Sequence, residues 1–365
     1  MGRIDPWRVD WIFLLAALAI IALGLPFLNS SAGPGDFMKQ IVWVTLGLAG
    51  LGFFALCDYH WLVERAHWIF IASTALLGAA LLAPPINNAH RFLRLGPIGV
   101  QPSEPFKLAL ILFLARYLGE NADLRRARGL IFPFLLTLGP MCLILKQPDL
   151  GTALTLPPIL LTALWVSGAR FSHLAATILL GLASAWPMWE YGLRSYQKTR
   201  IYAFLDPERY ASAEAYQLLM SLSAIGASGI FGQGLGNGVI TELSLLPEIH
   251  NDFIFGVVAE EGGLAAAGSM TLLFLILVLI GLHVSANAPD RQGRIVAAGV
   301  SAIIGWQACL NIYVVTGMLP TTGVTLPLVS YGGSSMVVTC AMVGMVLNVS
   351  QAAPTLDKLE NPDRI

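Results

Sequence analysis

The stretch LPEIHNDFIFGVVAEEGG, residues 246–263, sets five ionisable side chains beside the longest apolar run of the chain. These are Glu248, His250, Asp252, Glu260 and Glu261. Charged groups are costly beside an apolar environment, so carboxylates kept there are candidates for a functional site. A positioned carboxylate can act as a general base that removes a proton from a hydroxyl nucleophile. Asp252 is the most accessible candidate, because it lies nearest the preceding loop, with His250 two residues before it.

The same position also suits a structural role. Asn251 or Asp252 can cap a helix by accepting hydrogen bonds from its first-turn amides. If 252–263 is helical, Glu260 lies about 80° and Glu261 about 180° from Asp252 around the helix axis. The three carboxylates then cannot face one substrate atom. We therefore expect Glu260 and Glu261 to pair with cations or to cap neighbouring elements.

A second cluster lies in GVQPSEPFKLAL, residues 99–110. Ser103 followed by Glu104 and Pro105 indicates the start of a helix, with proline in its first turn. Glu104 and Lys107 are three residues apart and so share one helix face. The pattern favours a partly buried ion pair that positions the helix. The alternative is that Lys107 is presented to an anion.

The third cluster is KQPDLGTA, residues 146–153, in which Lys146 and Asp149 flank a proline. Asp149 is expected to cap the helix that follows it. Cations also lie in neighbouring loops, and arginine in particular binds phosphate through two parallel hydrogen bonds. They can bind a phosphorylated substrate together, or each can reach to a membrane interface. They are Arg91, Arg94, Lys146, Arg194, Lys198 and Arg200.

The elements that position these residues are membrane-spanning helices. Hydrophobic residues make up 56% of the 365 residues and charged residues only 12%, about half the share of a soluble domain. Because a span needs roughly 20 apolar residues, the sequence predicts an all-α integral membrane protein with about ten transmembrane helices. The predicted spans are 11–28, 40–57, 68–83, 104–118, 130–145, 151–167, 173–189, 264–282, 295–315 and 334–349.

Charge predicts how the spans are oriented. With both termini inside, the inner segments hold twelve of the 21 Lys and Arg residues, and the short outer segments hold five. Inner loops of membrane proteins are rich in these residues, so both termini are expected in the cytoplasm. The long outer loops are then 84–103, 190–263 and 316–333. We expect residues 1–350 to form a single membrane domain and residues 351–365 to form a polar cytoplasmic tail.

The glycine-rich stretch FGQGLGNG, residues 231–238, resembles a phosphate-binding fingerprint. It lacks the preceding strand and the spacing that this motif requires, so we interpret it as a flexible or tightly turning segment. A net charge of −1 and the lack of a basic block argue against a nucleic-acid partner.

Five ordered motifs resemble those of the SEDS family (shape, elongation, division and sporulation). They are RFLRLGPIGVQPSEPFKLALILFLARYL, KQPDLGTA, FLDPERYASAEAYQLLMSLSAIGASGIFGQGLGNG, LPEIHNDFIFGVVAEE and NIYVVTGMLPTTGVTLPLVSYGGSS. The resemblance extends from about residue 10 to 350. The chain departs from the family's pattern at Asn251, at the 90–92 triplet and in AEEGG, and none of these departures removes a carboxylate.

This resemblance implies a peptidoglycan glycosyltransferase that polymerises lipid II on the outer face of the cytoplasmic membrane. It places the family's catalytic aspartate on Asp252, its coupled pair on Glu104 and Lys107, and its QPD aspartate on Asp149. Its first-loop basic position falls on Arg91. The implied partners are a class B penicillin-binding protein and the membrane proteins of the elongation complex. The short N-terminus and CDYHWL resemble the RodA branch, with the FtsW branch as the alternative.

The expected reaction inverts the anomeric carbon in one displacement, so one essential carboxylate suffices. Countercharge for the leaving pyrophosphate comes either from outer Arg and Lys residues, Arg200 and Lys146 among them, or from a divalent cation. A flippase for lipid-linked sugars is a rival of a different class, but transporters place polar groups near the bilayer midplane. A purely structural scaffold is a third hypothesis, and it predicts that Asp252 tolerates asparagine.

Overall fold

The structure is a computed structural model, and it describes residues 10–84, 91–95, 98–120, 128–211, 215–238 and 251–352. Its helices are α1 (Trp11–Ser31), α2 (Pro34–Leu56), α3 (Tyr59–Glu64), α4 (Ala66–Leu82), α5 (Ser103–Glu120), α6 (Arg128–Lys146), α7 (Leu150–Ala153), α8 (Leu156–Val166), α9 (Phe171–Ala183), α10 (Ala185–Pro187), a π-helical turn (Met188–Gly192), α11 (Ser195–Leu205), α12 (Tyr216–Ser228), α13 (Ile254–Ala286), α14 (Arg291–Val315) and α15 (Gly333–Ala352). Two short strands are β1 (Leu93–Leu95) and β2 (Ile98–Val100).

The expected all-α membrane architecture is confirmed. Each predicted span coincides with helix, and seven helical segments in the described part of the chain are long and apolar enough to cross a membrane by themselves. Helices at 66–82 and 150–166 are apolar but shorter. The tail beyond residue 352 lies outside the described residues.

Two of the predicted outer loops contain regular structure. The 84–103 loop holds an antiparallel hairpin in which Leu93 pairs with Val100 and Leu95 with Ile98. The 190–263 segment is not one loop, because it contains α11, α12 and the first residues of α13. At 11 and 13 residues, α11 and α12 are too short to give the long apolar run by which a span is detected.

The centre of the bundle is formed by α14 and α15, which are buried over most of their length. Helix α2 packs along α15, whereas α1 and α13 pack together and α13 also contacts α14. The α2–α15 contact is close because Gly344 has no side chain. A Cβ atom there would collide with the carbonyl oxygen of Leu51. By contrast, the segment from Phe171 to Gly192 is almost wholly exposed, although it is apolar enough to cross a membrane.

Helix α13 is broken at Gly263, where φ is 65° and ψ is −168°. The break falls at the second glycine of the AEEGG sequence. The glycine-rich stretch closes it: the amides of Gln233 and Gly234 donate to the carbonyls of Glu260 and Glu261, each at 3.0 Å. In the other direction, the amides of residues 264 and 265 donate to the carbonyls of residues 229 and 230. Backbone groups exposed by the break are thus paired inside the protein, as a lipid environment requires.

A polar network joins helices at the opposite end of the bundle from residues 251–252. Asp290 accepts a hydrogen bond from the amide of Gly293 at 2.7 Å and so caps α14. Its other oxygen accepts from the hydroxyl of Tyr59 and lies 2.8 Å from Nε2 of His60. Nδ1 of His60 lies 2.8 Å from Asp58. Two ends of the bundle therefore carry polar clusters, and the one around residue 252 holds the predicted site.

Candidate active site

Asp252 lies just before α13, in the turn that enters the bundle. The helix begins at Ile254, and Phe253 occupies its N-cap position without a capping side chain. Neither Asn251 nor Asp252 therefore holds the N-cap position that the capping hypothesis assigned to them. The Asp252 residue is half-buried, whereas Phe253 and Ile254 are buried. Its carboxylate is thus at the boundary between the bundle and its surface.

The main chain at Asp252 is tied to two distant parts of the sequence. Nδ2 of Asn311, in α14, donates to the carbonyl oxygen of Asp252 at 2.8 Å and to that of Val324 at 2.8 Å. The hydroxyl of Ser330 donates to the carbonyl oxygen of Asn251 at 2.6 Å. Residues 251–252 are consequently held between α14 and the segment that follows it.

The segment 316–332 forms one wall of the site. Gly323 has a φ of 72°, and a Cβ atom on it would lie only 3.3 Å from Oδ2 of Asp252. Leu328 is buried at a φ of 63°, a strained conformation for a branched side chain that must be imposed by its surroundings. Gln40 of α2 is buried and fixes this segment further, because it donates to the carbonyl of Ser330 and accepts from the amide of Gly332.

Asp149 links the predicted QPD motif to this wall. Its Oδ1 accepts from the amide of Thr152 at 3.1 Å, so the expected cap of α7 is present. Its Oδ2 accepts from the hydroxyl of Thr152 at 2.8 Å and from Nε2 of Gln101 at 3.0 Å. Two residues later, Gly151 packs so closely on the carbonyl oxygen of Thr322 that a Cβ atom would collide with it. Asp149 therefore joins the start of α5 to the segment that faces Asp252.

Glu104 and Lys107 form the expected ion pair in the first turns of α5, with Nζ and Oε1 2.7 Å apart. The pair is more deeply buried than the sequence predicts. The second oxygen of Glu104 is also buried and has no hydrogen-bond partner among the described residues. Glu104 lies three residues and Lys107 six residues after Gln101. Gln101 bonds to Asp149, and its amide donates to Oγ of Ser334 at 3.4 Å.

The predicted cations are spread over this end of the bundle. Arg200 is exposed, and its Nη1 donates to the carbonyl of Thr321 at 3.4 Å, two residues before Gly323. Lys146 is exposed at the end of α6, three residues before Asp149. Arg91 lies over the ring of Phe92 at 5.3 Å. His250 lies outside the described residues. Of the three described cations, Arg200 has the contact that connects it most directly to the wall of the site.

A metal site is not formed by the described side chains themselves. They include no group of three or more His, Cys, Asp and Glu residues that could hold an ion. Tyr331 adds a neutral phenol to this end of the bundle, since burial and then the nearby Asp36 charge raise its pKa. What the site offers is one half-buried carboxylate, Asp252, in a rigid frame, with exposed guanidinium and ammonium groups around it.

Sequence reasoning missed the residues that build this frame. Asn311 and Gln40 stand in runs interpreted as apolar spans, and Gln101 and Ser330 stand in loops. A buried amide inside a span was the available signal, because polar groups in a membrane interior need a partner. The identity of that partner depends on tertiary contacts that no spacing rule gives.

Residues 9–354 match the family described as Cell cycle protein, whose name joins FtsW, RodA and SpoVE. The chain belongs to this family. It is 34% identical over 366 residues to the probable peptidoglycan glycosyltransferase FtsW of Geobacter sp. (strain M18), with 96% of this chain and 98% of that protein covered. It is 32% identical to the peptidoglycan glycosyltransferase MrdB of Escherichia coli (strain K12), with 97% and 96% covered.

Solved structures of the family share the fold. One chain comes from a structure described as showing structural coordination of polymerization and crosslinking by a peptidoglycan synthase complex. It superimposes with a TM-score of 0.82 at 32% identity, covering 94% of this chain and 97% of that chain. The similarity therefore includes the arrangement of helices that frames Asp252.

Proposed function

We propose that this chain is a peptidoglycan glycosyltransferase that polymerises lipid II on the outer face of the cytoplasmic membrane, with Asp252 as general base. The observation that carries the proposal is that Gln101, residues 149–152 and residues 321–324 meet in one frame beside Asp252. Two relatives whose names give this activity are about one-third identical over nearly the whole chain.

The reaction needs a base because a sugar hydroxyl has a pKa far above neutral. Asp252 takes the proton from the C4 hydroxyl of the acceptor GlcNAc as its oxygen forms a bond to C1 of the donor MurNAc. The bond from C1 to the pyrophosphate breaks, and undecaprenyl pyrophosphate leaves with its electron pair. An α-linked donor thereby gives a β-1,4 bond by one inverting displacement. A positioned base contributes about 10² to 10⁴ in rate.

The leaving pyrophosphate requires countercharge at the same end of the bundle. Arg200 is the first candidate, because its guanidinium is exposed and its side chain already contacts residue 321. Lys146, Arg91 and His250 are further candidates, as is a divalent cation recruited with the substrate. Lys107 is a weaker candidate, since its ammonium is buried against Glu104. The exposed cations would also attract a phosphorylated, lipid-linked substrate from the membrane surface.

We place the chain in the cytoplasmic (inner) membrane as a multi-pass protein. The distribution of Lys and Arg favours both termini in the cytoplasm. The proposed partner is a class B penicillin-binding protein that cross-links the new strand, together with other membrane proteins of the elongation complex. We assign the chain to elongation on its CDYHWL motif, with septal synthesis as the alternative. Depletion in the native host tests this choice: rounded cells support elongation, and filaments would assign the chain to the septum.

The enzymatic proposal is tested by lipid II polymerisation with the purified protein and its cognate transpeptidase partner. Asp252→Asn is compared with wild type and with Asp206→Asn, an exposed carboxylate after α11. We expect Asp252→Asn to lose at least about 10² in rate at an unchanged melting temperature, whereas Asp206→Asn keeps the wild-type rate.

Wild-type activity in Asp252→Asn would reject the role of Asp252 and favour a scaffold. The flippase hypothesis would be favoured if the wild-type protein moved labelled lipid II across vesicle bilayers but made no glycan polymer with its partner.

A further inference from the structure

Asn311 is a buried amide on the central helix of the bundle, with only 1% of its surface exposed. Its side chain does not bond within its own helix. Nδ2 instead donates to the carbonyl oxygens of Asp252 and Val324, each at 2.8 Å. One side chain therefore connects three parts of the chain: the interior of α14, the turn before α13 and the wall segment that includes Gly323.

The residue type fits this task closely. Two carbonyl oxygens need two N–H donors, and a primary amide nitrogen supplies two hydrogens in a fixed planar fork. The pair of acceptors also fixes which end of the amide is nitrogen. Aspartate has the same shape but would place an oxygen against two carbonyl oxygens. Leucine would leave both buried carbonyl oxygens without this hydrogen bond. The protein would then lose the free energy that it costs to remove each oxygen from water.

The connection bears directly on the geometry of Asp252. Val324 follows Gly323, the residue whose missing side chain leaves room beside Oδ2 of Asp252. By holding the carbonyls of residues 252 and 324 on one nitrogen, Asn311 sets the separation between the carboxylate and the wall. A reacting group displaced by about 1 Å can lose about 10² in rate, so this separation matters for catalysis.

We propose that Asn311 is a positioning residue for Asp252, acting through the main-chain carbonyl of Asp252 and not on the substrate. The proposal rests on the proposed function of Asp252 as the base. Ser330 acts in the same way from the other side: its hydroxyl accepts from the amide of Leu326 at 2.8 Å and donates to the carbonyl of Asn251. The turn that carries the base is thus held at two successive carbonyls.

The chain offers a matched control at the other end of the bundle. Asn348 of α15 is also fully buried, and its amide also joins two segments, accepting from the amide of Tyr59 at 3.0 Å and donating to the carbonyl of Ala55 at 2.9 Å. Asn348→Asp and Asn311→Asp therefore make the same chemical change in comparable burial. Only Asn311→Asp alters a contact with residue 252.

The experiment measures steady-state lipid II polymerisation by the full chain with its transpeptidase partner, and thermal melting, for wild type and both variants. We expect Asn311→Asp to lower kcat about 10- to 100-fold, with KM for lipid II within about twofold of wild type. Asn348→Asp should keep kcat within about twofold, although its melting temperature also falls because the new oxygen faces the carbonyl of Ala55. Equal kcat in the two variants, or a raised KM at unchanged kcat for Asn311→Asp, would overturn the proposal.

Two additions keep the result interpretable. If Asn311→Asp does not fold, Ser330→Ala is used in its place, because it removes only one hydroxyl. We expect Ser330→Ala to lower kcat several-fold at unchanged KM. A wild-type kcat for Ser330→Ala would overturn the proposal. Asp252→Asn is assayed in parallel. If Asp252→Asn is as active as wild type, the proposed base is wrong; if it is inactive while Asn311→Asp has wild-type kcat, only the positioning role is wrong.

Discussion

Lys107 and Glu104 are in contact at 2.7 Å, and solvent reaches only 1% and 6% of their side chains. A buried ion pair adds little to stability in comparison with well-packed apolar residues, because the desolvation of both charges offsets their attraction. Removing only one partner is much more costly, since it leaves an uncompensated charge. The pair therefore constrains which residues are tolerated at the start of α5, and this asymmetry can be measured.

We predict that Lys107→Met alone destabilises the protein by about 3–5 kcal/mol, and that the double variant Glu104→Gln/Lys107→Met recovers most of this loss. We expect polymerisation to recover together with stability, because both side chains are buried against each other and the pair's main effect is to position α5. The measurements are thermal melting in detergent and lipid II polymerisation. A double variant with a restored melting temperature but no activity would instead assign the Lys107 charge to substrate binding.

We predict that Gly323→Ala impairs catalysis beyond its effect on stability. Its φ of 72° costs a non-glycine residue about 1–2 kcal/mol, and the new Cβ atom would crowd Oδ2 of Asp252 at 3.3 Å. Gly236→Ala is the control, because Gly236 has a φ of 77° and no atom within contact distance of a new Cβ. Both variants should lose similar stability, but only Gly323→Ala should lose about tenfold or more in kcat. Equal rates would mean that the wall does not constrain the carboxylate.

The sequence predicts the spans because a helix that crosses lipid must be a long apolar run whose backbone groups form hydrogen bonds within the helix. It also predicts the Glu104–Lys107 pair and the Asp149 cap, whose partners lie within three residues. These are local rules, and local spacing is sufficient to apply them.

Tertiary relationships were beyond those rules. The helices α11 and α12 escaped detection, because each is shorter than the apolar run of a span. The hydrogen bond from Asn311 to Asp252 joins residues 59 apart in sequence, and the one from Gln101 to Asp149 joins residues 48 apart. The bond from Asn311 to Val324 joins a helix to the segment that follows it. Which carbonyl or carboxylate a buried amide meets depends on how helices pack, so the frame around Asp252 emerges only from the structure.

We predict that Gly263→Ala is among the most damaging single substitutions in the chain. The backbone conformation at the α13 break is available essentially to glycine alone, and strain there costs another residue about 1–3 kcal/mol. A Cβ atom would also collide with the amide of Gly232 and the carbonyl of Ile230, disrupting the hydrogen bonds that close the break. Folded yield and melting temperature should both fall sharply.

Gly268→Ala is the control for that substitution. Gly268 lies in the same helix, and nothing lies within contact distance of a Cβ atom there. Alanine has the higher helix propensity by about 1 kcal/mol, so this variant should be neutral or slightly stabilised. If Gly263→Ala melted like Gly268→Ala, the break would be a feature that the protein can lose without cost.

The polar network at the other end of the bundle contains a histidine, His60, between two carboxylates. Burial lowers the pKa of His60, but its hydrogen bonds to Asp58 and Asp290 and their charges outweigh this effect, so the pKa is raised overall. For Asp290, burial acts to raise the pKa, and hydrogen bonds from Tyr59, the Gly293 amide and His60 lower it overall. A raised histidine pKa stabilises the fold fully below the unfolded value of about 6.5, and the contribution is lost as pH rises through the folded value.

The lowered pKa of Asp290 contributes stability above the unfolded carboxyl value of about 4, so its contribution is constant from pH 6 to 9. The melting temperature should therefore decline over this range through His60, by about 2 °C or less because the side chain is 43% exposed. His60→Gln should flatten the decline, whereas His283→Gln, at an exposed histidine in the last turn of α13, should leave it unchanged. An identical slope in wild type and His60→Gln would show that this network does not titrate with folding.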